Sequence, residues 1–351
     1  MAVLPLNAWN VSEDQFRSNL EKYEAGPPVV IHGKVQKGSY GGLYKTSDEA
    51  CFIKYSSPAS AADTEEDVLW QSYCAQKELD ILEFAKIHHM RHVIRQIDAF
   101  CMTEQRYASV QLNGGLSLKN IYLCSPKHLQ KMPSLKKIQK IGIQLFEALS
   151  DLHKHNILHG DIKPSNIVLN ESEKLNVIDF SISEQLNRDF SPLVKFSSHY
   201  RPPETFRLRK TFLKSDVWAA SCTLLELIYK KHIFPGATDD EIYSSIIARF
   251  GCKPQVYSEF VATRSLKELI DSLQTYEMDP ELFNLFKDLI LRTLEPNVEK
   301  RMTAEETLKH PFFKSCVHTC SQKNEETTTP ENNIAATTKI WTDVPFFRLS
   351  L

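Results

Sequence analysis

Apolar and polar positions change period several times along the chain, and each change predicts an element. Ser12 and Gln15 stand at capping-box spacing, and Phe16, Leu20 and Tyr23 follow at helical intervals until Gly26-Pro27-Pro28 stops the run. A helix is predicted over 12–25. VVIHGKVQ, GLYKTS and ACFIKY are short β-rich runs split by turn residues, as in an antiparallel meander. Segment 56–67 is a Ser/Ala/acidic loop. Helical spacing returns with Val68, Tyr73, Leu79 and Leu82, and VIRQIDAF and RYASVQL again read as strands, closed by Asn113-Gly114-Gly115. Beyond Leu116 the pattern is mostly helical, with Ile138, Ile141, Leu145, Leu149 and Leu152 forming one apolar stripe. After 314 the chain turns polar and Thr-rich without a core pattern, the mark of a flexible tail, while its end, IWTDVPFFRLSL, is apolar enough to dock on a folded body. No internal repeat is present.

Composition narrows the classes. The chain has 351 residues, 42% of them hydrophobic, and a formal net charge of -2, which fits a soluble globular protein of two lobes or domains. Near-neutral charge gives no reason to expect nucleic acid or an anionic membrane as partner. The start lacks a basic region followed by an apolar core, so no secretory signal is expected. No apolar run approaches the roughly 18 residues of a membrane span. Eight scattered cysteines suit reduced thiols and a cytoplasmic protein, with the nucleus as the alternative. Cys316, His318 and Cys320 lie close together, but a zinc site needs a fourth ligand and no second cluster accompanies them.

The densest chemistry lies in HGDIKPSNIVL, residues 159–169. Asp161, Lys163 and Asn166 are too closely spaced for one helix face and too polar for a strand, so they read as a rigid loop feeding a buried strand. Such a loop can aim a general base, a cation for phosphate and an amide for a metal in one direction. With CFIK, KELDIL, KGSYGG, IDFS, HYRPPE, SDVW and EKRMTAEETLKHPFF in the same order, the sequence resembles the eukaryotic-type protein kinases over residues 29–314. The resemblance implies an α+β, bilobal protein kinase fold with a β-rich N-lobe (about 29–112) and a mainly helical C-lobe (about 113–314). Residues 1–28 would be an N-terminal helical extension and 315–351 the tail.

The resemblance also assigns roles. Asp161 would be the base that accepts the substrate hydroxyl's proton, and Lys163 would neutralise the moving phosphoryl group. Asn166 and Asp179 would hold Mg²⁺; Lys54 would grip the α/β-phosphates of ATP, and Glu78 would pair with that lysine. Gly38 and Gly41 would let a loop close over phosphate. Gln111 to Asn113 would form the hinge to adenine, with Val110 guarding the back of the pocket. Glu204 would pair with Arg301, and Asp216 would cap the catalytic loop. The lysine at 163 is similar to that of serine/threonine kinases. HYRPPE and the segments after it resemble the cyclin-dependent, mitogen-activated and dual-specificity (CMGC) branch. Protein substrates are implied, and a regulatory protein partner is compatible with this branch.

Four positions depart from the family pattern. Gly160 replaces the arginine that clamps a phosphorylated activation segment in many kinases, and Val194 lies near where related kinases carry a phosphorylated tyrosine. Both argue against control by segment phosphorylation. Ser181 replaces a glycine, and Gln36 replaces the first loop glycine. Phe52 stands where an alanine usually lies against adenine; overpacking there costs about 1–3 kcal/mol, roughly tenfold to a hundredfold in affinity. Two readings therefore stand: an active serine/threonine kinase, or a pseudokinase scaffold with its adenine pocket obstructed by Phe52. A small-molecule kinase is a third, opposed by the activation-segment match.

Overall fold

Period-two patterning in the first third of the chain builds a six-stranded sheet. Its strands are β1 (Ala2–Val3), β2 (Ile31–Lys37), β3 (Gly41–Thr46), β4 (Cys51–Ser56), β5 (Gln96–Thr103) and β6 (Arg106–Leu112). The spatial order is β1-β5-β6-β4-β3-β2, with β1 parallel to β5 and the other neighbours antiparallel. The expected β2-β3-β4 meander is present, and β6 pairs with the far side of β4. Lys54 thus sits on a strand hydrogen-bonded along both edges, which fixes its direction. The computed structural model describes residues 2–3, 31–37, 41–46, 51–56, 64–103, 106–124, 132–192, 195–251, 264–275 and 278–314. The helix expected over 12–25, Gly38, Val194, the Cys316/His318/Cys320 group and the tail lie outside these residues.

Helix α1 (Glu65–Ile87) packs against β4, β5 and β6, running past both ends of the stripe seen in sequence. It buries Cys74, Leu79, Leu82 and Ala85 together with the carboxylate residue Glu78. The second lobe is helical: α2 (Leu135–Lys154), α3 (Pro203–Arg207), α4 (Leu213–Tyr229), α5 (Asp239–Arg249), α6 (Leu266–Asp271), α7 (Pro280–Thr293) and α8 (Ala304–Leu308). The predicted stripe on α2 is buried, and Ser134 caps that helix by accepting from the Lys137 amide. Capping boxes at Thr238/Glu241, Ser265/Glu268 and Thr303/Glu306 start α5, α6 and α8. Helix α4 is buried on every side from Ser215 to Ile228, as expected of a central helix apolar all round. Phe146, Trp218, Phe234, Phe283, Phe286, Phe312 and Phe313 fill the core around it.

Between the lobes lie strands too short to show any period: β7 (Leu116–Ser117), β8 (Ile157–Leu158), β9 (Ile167–Leu169), β10 (Leu175–Val177) and β11 (Glu184–Gln185). They form two small sheets, β10-β9-β7 and β11-β8. The turn after α1 is anchored in the helical lobe. Val177 N–H donates to His92 O and Ile94 N–H to Val177 O, while the Arg91 guanidinium grips Asp151 and Glu147. The predicted two-lobed α+β architecture is the one the chain adopts.

Candidate active site

The β9–β10 hairpin brings two distant sequence motifs together. Its antiparallel register sets Ile167 opposite Val177, and the next pair is joined by Ile178 N–H to Asn166 O, 2.9 Å. Asn166 and Asp179 therefore leave the same end of one hairpin. The loop before it is fixed by buried Asp216, whose carboxylate accepts from the backbone N–H of His159 (2.9 Å) and Gly160 (3.0 Å). His159 is fully buried, bonded to Ile178 O and edge-on to Phe180, so it is scaffold.

Asp161 is the centre of a charged network. Its Oδ2 pairs with Lys163 Nζ at 2.7 Å and accepts from Asn166 Nδ2 at 2.9 Å. Its Oδ1 accepts from the amide and hydroxyl of Ser197, at 3.2 and 3.0 Å. Lys163 Nζ also donates to Ser197 Oγ, 2.8 Å. Four donor groups from three residues thus hold one carboxylate in a single orientation.

A second cluster forms around Lys54. Lys54 Nζ donates to Glu78 Oε2 at 2.6 Å and to Asp179 Oδ1 at 2.7 Å. Burial by itself would raise the Asp179 carboxyl, but Lys54 and the Ser181 hydroxyl, 2.8 Å away, hold it well below the usual carboxylate range. Burial likewise opposes the Lys54 ammonium, yet Asp179 and Glu78 raise it above its ordinary value. Asp179 is backbone-strained at φ 67°, a left-handed conformation that turns its side chain towards Lys54. Ser181 removes no ligand from this cluster; it adds a donor.

Strand register decides what lines the back of the cleft. Directly opposed antiparallel residues share a face, and Lys54 pairs with Ser109, Phe52 with Gln111, and Ile53 with Val110. Val110 therefore lies on the sheet face opposite Lys54, and the expectation that it guards the pocket is corrected. Gln111 shares the Lys54 face instead. Its Nε2 donates to Ser109 Oγ at 3.2 Å and reaches Glu78 Oε1 at 3.4 Å, and Ser109 Oγ donates to Gln96. Gln111 is bound into the ladder on both sides, so its expected place in the hinge is corrected. Asn113 lies in the short segment between β6 and β7, its Oδ1 accepting from Gly115 N–H at 2.9 Å. Gly41 starts β3 opposite Ser56. Phe52 is half-buried on the face that carries Lys54.

Ser197 and the bonding of Gln111 towards Glu78 were not singled out in the sequence. Ser197 is one of two adjacent serines in FSSHYRPPE, and nothing local separates it from Ser198. The supporting pair is as expected: Arg301 Nη1 and Nη2 donate to Glu204 Oε1 and Oε2 at 2.7 and 2.8 Å, both residues buried.

With this geometry in place, comparison with known proteins is decisive. The family model "Protein kinase domain" matches residues 30–313. The chain belongs to the protein kinase family. The kinase domain is 29% identical over 184 residues to mitogen-activated protein kinase p38a of Drosophila melanogaster, covering 50% of each chain. It is 26% identical over 314 residues to mitogen-activated protein kinase 13 of Homo sapiens, covering 84% of this chain and 80% of that one. It is 29% identical over 241 residues to mitogen-activated protein kinase HOG1 of Colletotrichum orbiculare, covering 66% and 65%. The chain thus spans about half the length of the fly relative. The resemblance to the CMGC branch is borne out by these relatives. Among the described residues no helix is long and apolar enough to cross a membrane, and no group of three or more His, Cys, Asp or Glu could hold a metal ion.

Proposed function

We propose that the chain is an active, Mg²⁺-dependent serine/threonine protein kinase that transfers the γ-phosphate of ATP to protein hydroxyls. The carrying observation is the Asp161 carboxylate held by Lys163, Asn166 and Ser197 on the same hairpin end as Asp179. A base so oriented can accept a hydroxyl proton as the oxygen attacks phosphorus. Lys163, bonded to that carboxylate, stands ready to offset charge on the transferred group. Lys54, fixed by Glu78 and Asp179, presents its ammonium to the nucleotide phosphates.

The donor set fits magnesium. Asp179 is ionised, and Asn166, whose amide nitrogen is committed to Asp161, offers its carbonyl oxygen; both are hard oxygen donors. When bound, the metal would neutralise phosphate charge and align the transferring group.

The likeness to mitogen-activated protein kinases favours protein substrates and, by analogy, proline after the target residue. One feature supports that preference. Phe196 has φ 72° and its carbonyl accepts from Arg201 Nε at 3.0 Å, so this carbonyl is taken and a following residue without an N–H loses nothing. Buried thiols at Cys74 and Cys222 suit a cytoplasmic setting. The scaffold alternative lacks support, because both ion-pair clusters are assembled.

The test is Mg²⁺-ATP binding by calorimetry beside radiolabel transfer, on wild type and Asp161→Asn. Wild type should bind and label protein, and Asp161→Asn should bind while losing about 10²–10⁴-fold in transfer. Wild type that labels no protein, itself included, refutes the reading.

A further inference from the structure

Gly160 has lost the family's arginine, and the space above it is filled. Its φ is 78°, and a Cβ built there would lie 2.8 Å from Lys195 Cδ and 3.4 Å from Lys195 Cβ. The Lys195 stem therefore packs directly on the catalytic loop, and the residue is only 5% exposed. Its ammonium turns back to the start of the same segment, donating to Ile182 O at 2.7 Å and pairing with Glu184 Oε2 at 3.2 Å. Glu184 also accepts from Ser191 Oγ, 2.6 Å, and sits on β11, which pairs with β8 just before the catalytic loop. One lysine thus ties three parts of the segment to the loop.

The two residues after Lys195 transmit this anchoring to the catalytic base. Phe196 is buried and left-handed, with its carbonyl held by Arg201, and Ser197 then donates twice to Asp161. Backbone freedom between Lys195 and Ser197 is small, so fixing the first fixes the second. Charge also argues for exclusivity. Lys77 of α1 feels both Lys195 and Glu184, so this region already holds two cations near one carboxylate. An arginine at 160 would add a third cation in space taken by the Lys195 stem.

We propose that Lys195 is a positioning residue that replaces, from within the segment, the pairing of an arginine with a segment phosphate. It sets Ser197 against Asp161 without any phosphorylation. This rests on the kinase reading for its rate predictions only.

The experiment uses the full chain after phosphatase treatment, comparing wild type, Lys195→Met, Lys195→Arg, Gly160→Arg and Gly160→Arg/Lys195→Ala. Steady-state transfer, limited proteolysis of segment 182–204 and thermal melting are read together. Wild type should keep its rate after dephosphorylation. Lys195→Met should lose roughly tenfold in kcat, the scale of one charge-assisted hydrogen bond, with KM for ATP unchanged. Its segment should be cut faster at a similar Tm, and Lys195→Arg should restore much of the rate. Gly160→Arg should be impaired, and adding Lys195→Ala should recover part of the loss, a coupling that independent sites would not produce. Loss of activity on dephosphorylation, a wild-type rate in Lys195→Met, or additive effects at 160 and 195 would overturn the proposal. If wild type binds Mg²⁺-ATP but transfers nothing, the kinase reading fails alone. Proteolysis then decides the role of Lys195, with faster cutting in Lys195→Met supporting it and equal cutting overturning it.

Discussion

Arg301→Met removes the cation from the most enclosed ion pair described in the helical lobe. Arg301 is 1% exposed and donates to both oxygens of Glu204, to Glu295 O at 2.9 Å and to Lys214 O at 3.1 Å, with its guanidinium 5.0 Å from the Trp218 ring. After the change Glu204 keeps Ser215 Oγ, 2.8 Å away, as a donor. A buried charge stripped of its partner costs about 3–5 kcal/mol, and each carbonyl left without a donor adds up to about 1–3 kcal/mol before water relieves it. The loss should total about 4–6 kcal/mol, a large part of a typical folding stability of about 5–15 kcal/mol. At roughly 2–4 °C per kcal/mol, Tm should fall by about 10–20 °C. The double variant Arg301→Met/Glu204→Leu removes both charges and should cost clearly less than the sum of the singles, because most of each single cost is the orphaned partner. Urea unfolding monitored by Trp fluorescence, with melting curves, measures all three. A single change costing less than about 1 kcal/mol, or an additive cycle, would refute the reasoning.

Three further outcomes are expected. Ser197→Ala takes one donor from Asp161 and an acceptor from Lys163, so kcat should fall roughly ten- to a hundredfold while KM for ATP holds, since Lys54, Glu78 and Asp179 are untouched; a raised KM at constant kcat would contradict this. Phe52→Ala should change Mg²⁺-ATP affinity by no more than about tenfold if the ring is accommodated on the cleft face, and a chain that binds only after this change would instead favour the scaffold. The His199 imidazole is held below its ordinary value by burial and by His232, stacked at 4.0 Å, while its Nε2 meets Gly236 O. The unfolded chain takes up that proton near pH 6.5 and the folded chain only at lower pH, so stability falls as pH drops below about 6.5 towards the lowered folded value. Wild-type Tm should therefore decline between about pH 7 and 5, and His199→Phe should flatten the slope; equal slopes would exclude His199 as the cause.

Much of this protein was legible residue by residue. The apolar stripe of α2 and the runs of β2, β3 and β4 have periods set by local backbone geometry, which needs no knowledge of the partner surface. Asp161, Lys163 and Asn166 were legible because six consecutive residues carry three chemical groups on one loop, and the order of the motifs from Lys54 to Arg301 implied the family. Register was not legible. Alternation along RYASVQL allows either face to be inward, and only pairing with β4 turns Gln111 towards Glu78 and Val110 away. The activation segment has no period at all, so Ser197 and Lys195 gain their meaning from residues 36 and 35 positions earlier, Asp161 and Gly160. Sequence order determines which groups the chain possesses. Which of them meet is decided by long-range packing, because the energy of a contact depends on the surface opposite it, and that surface exists only once both lobes have formed.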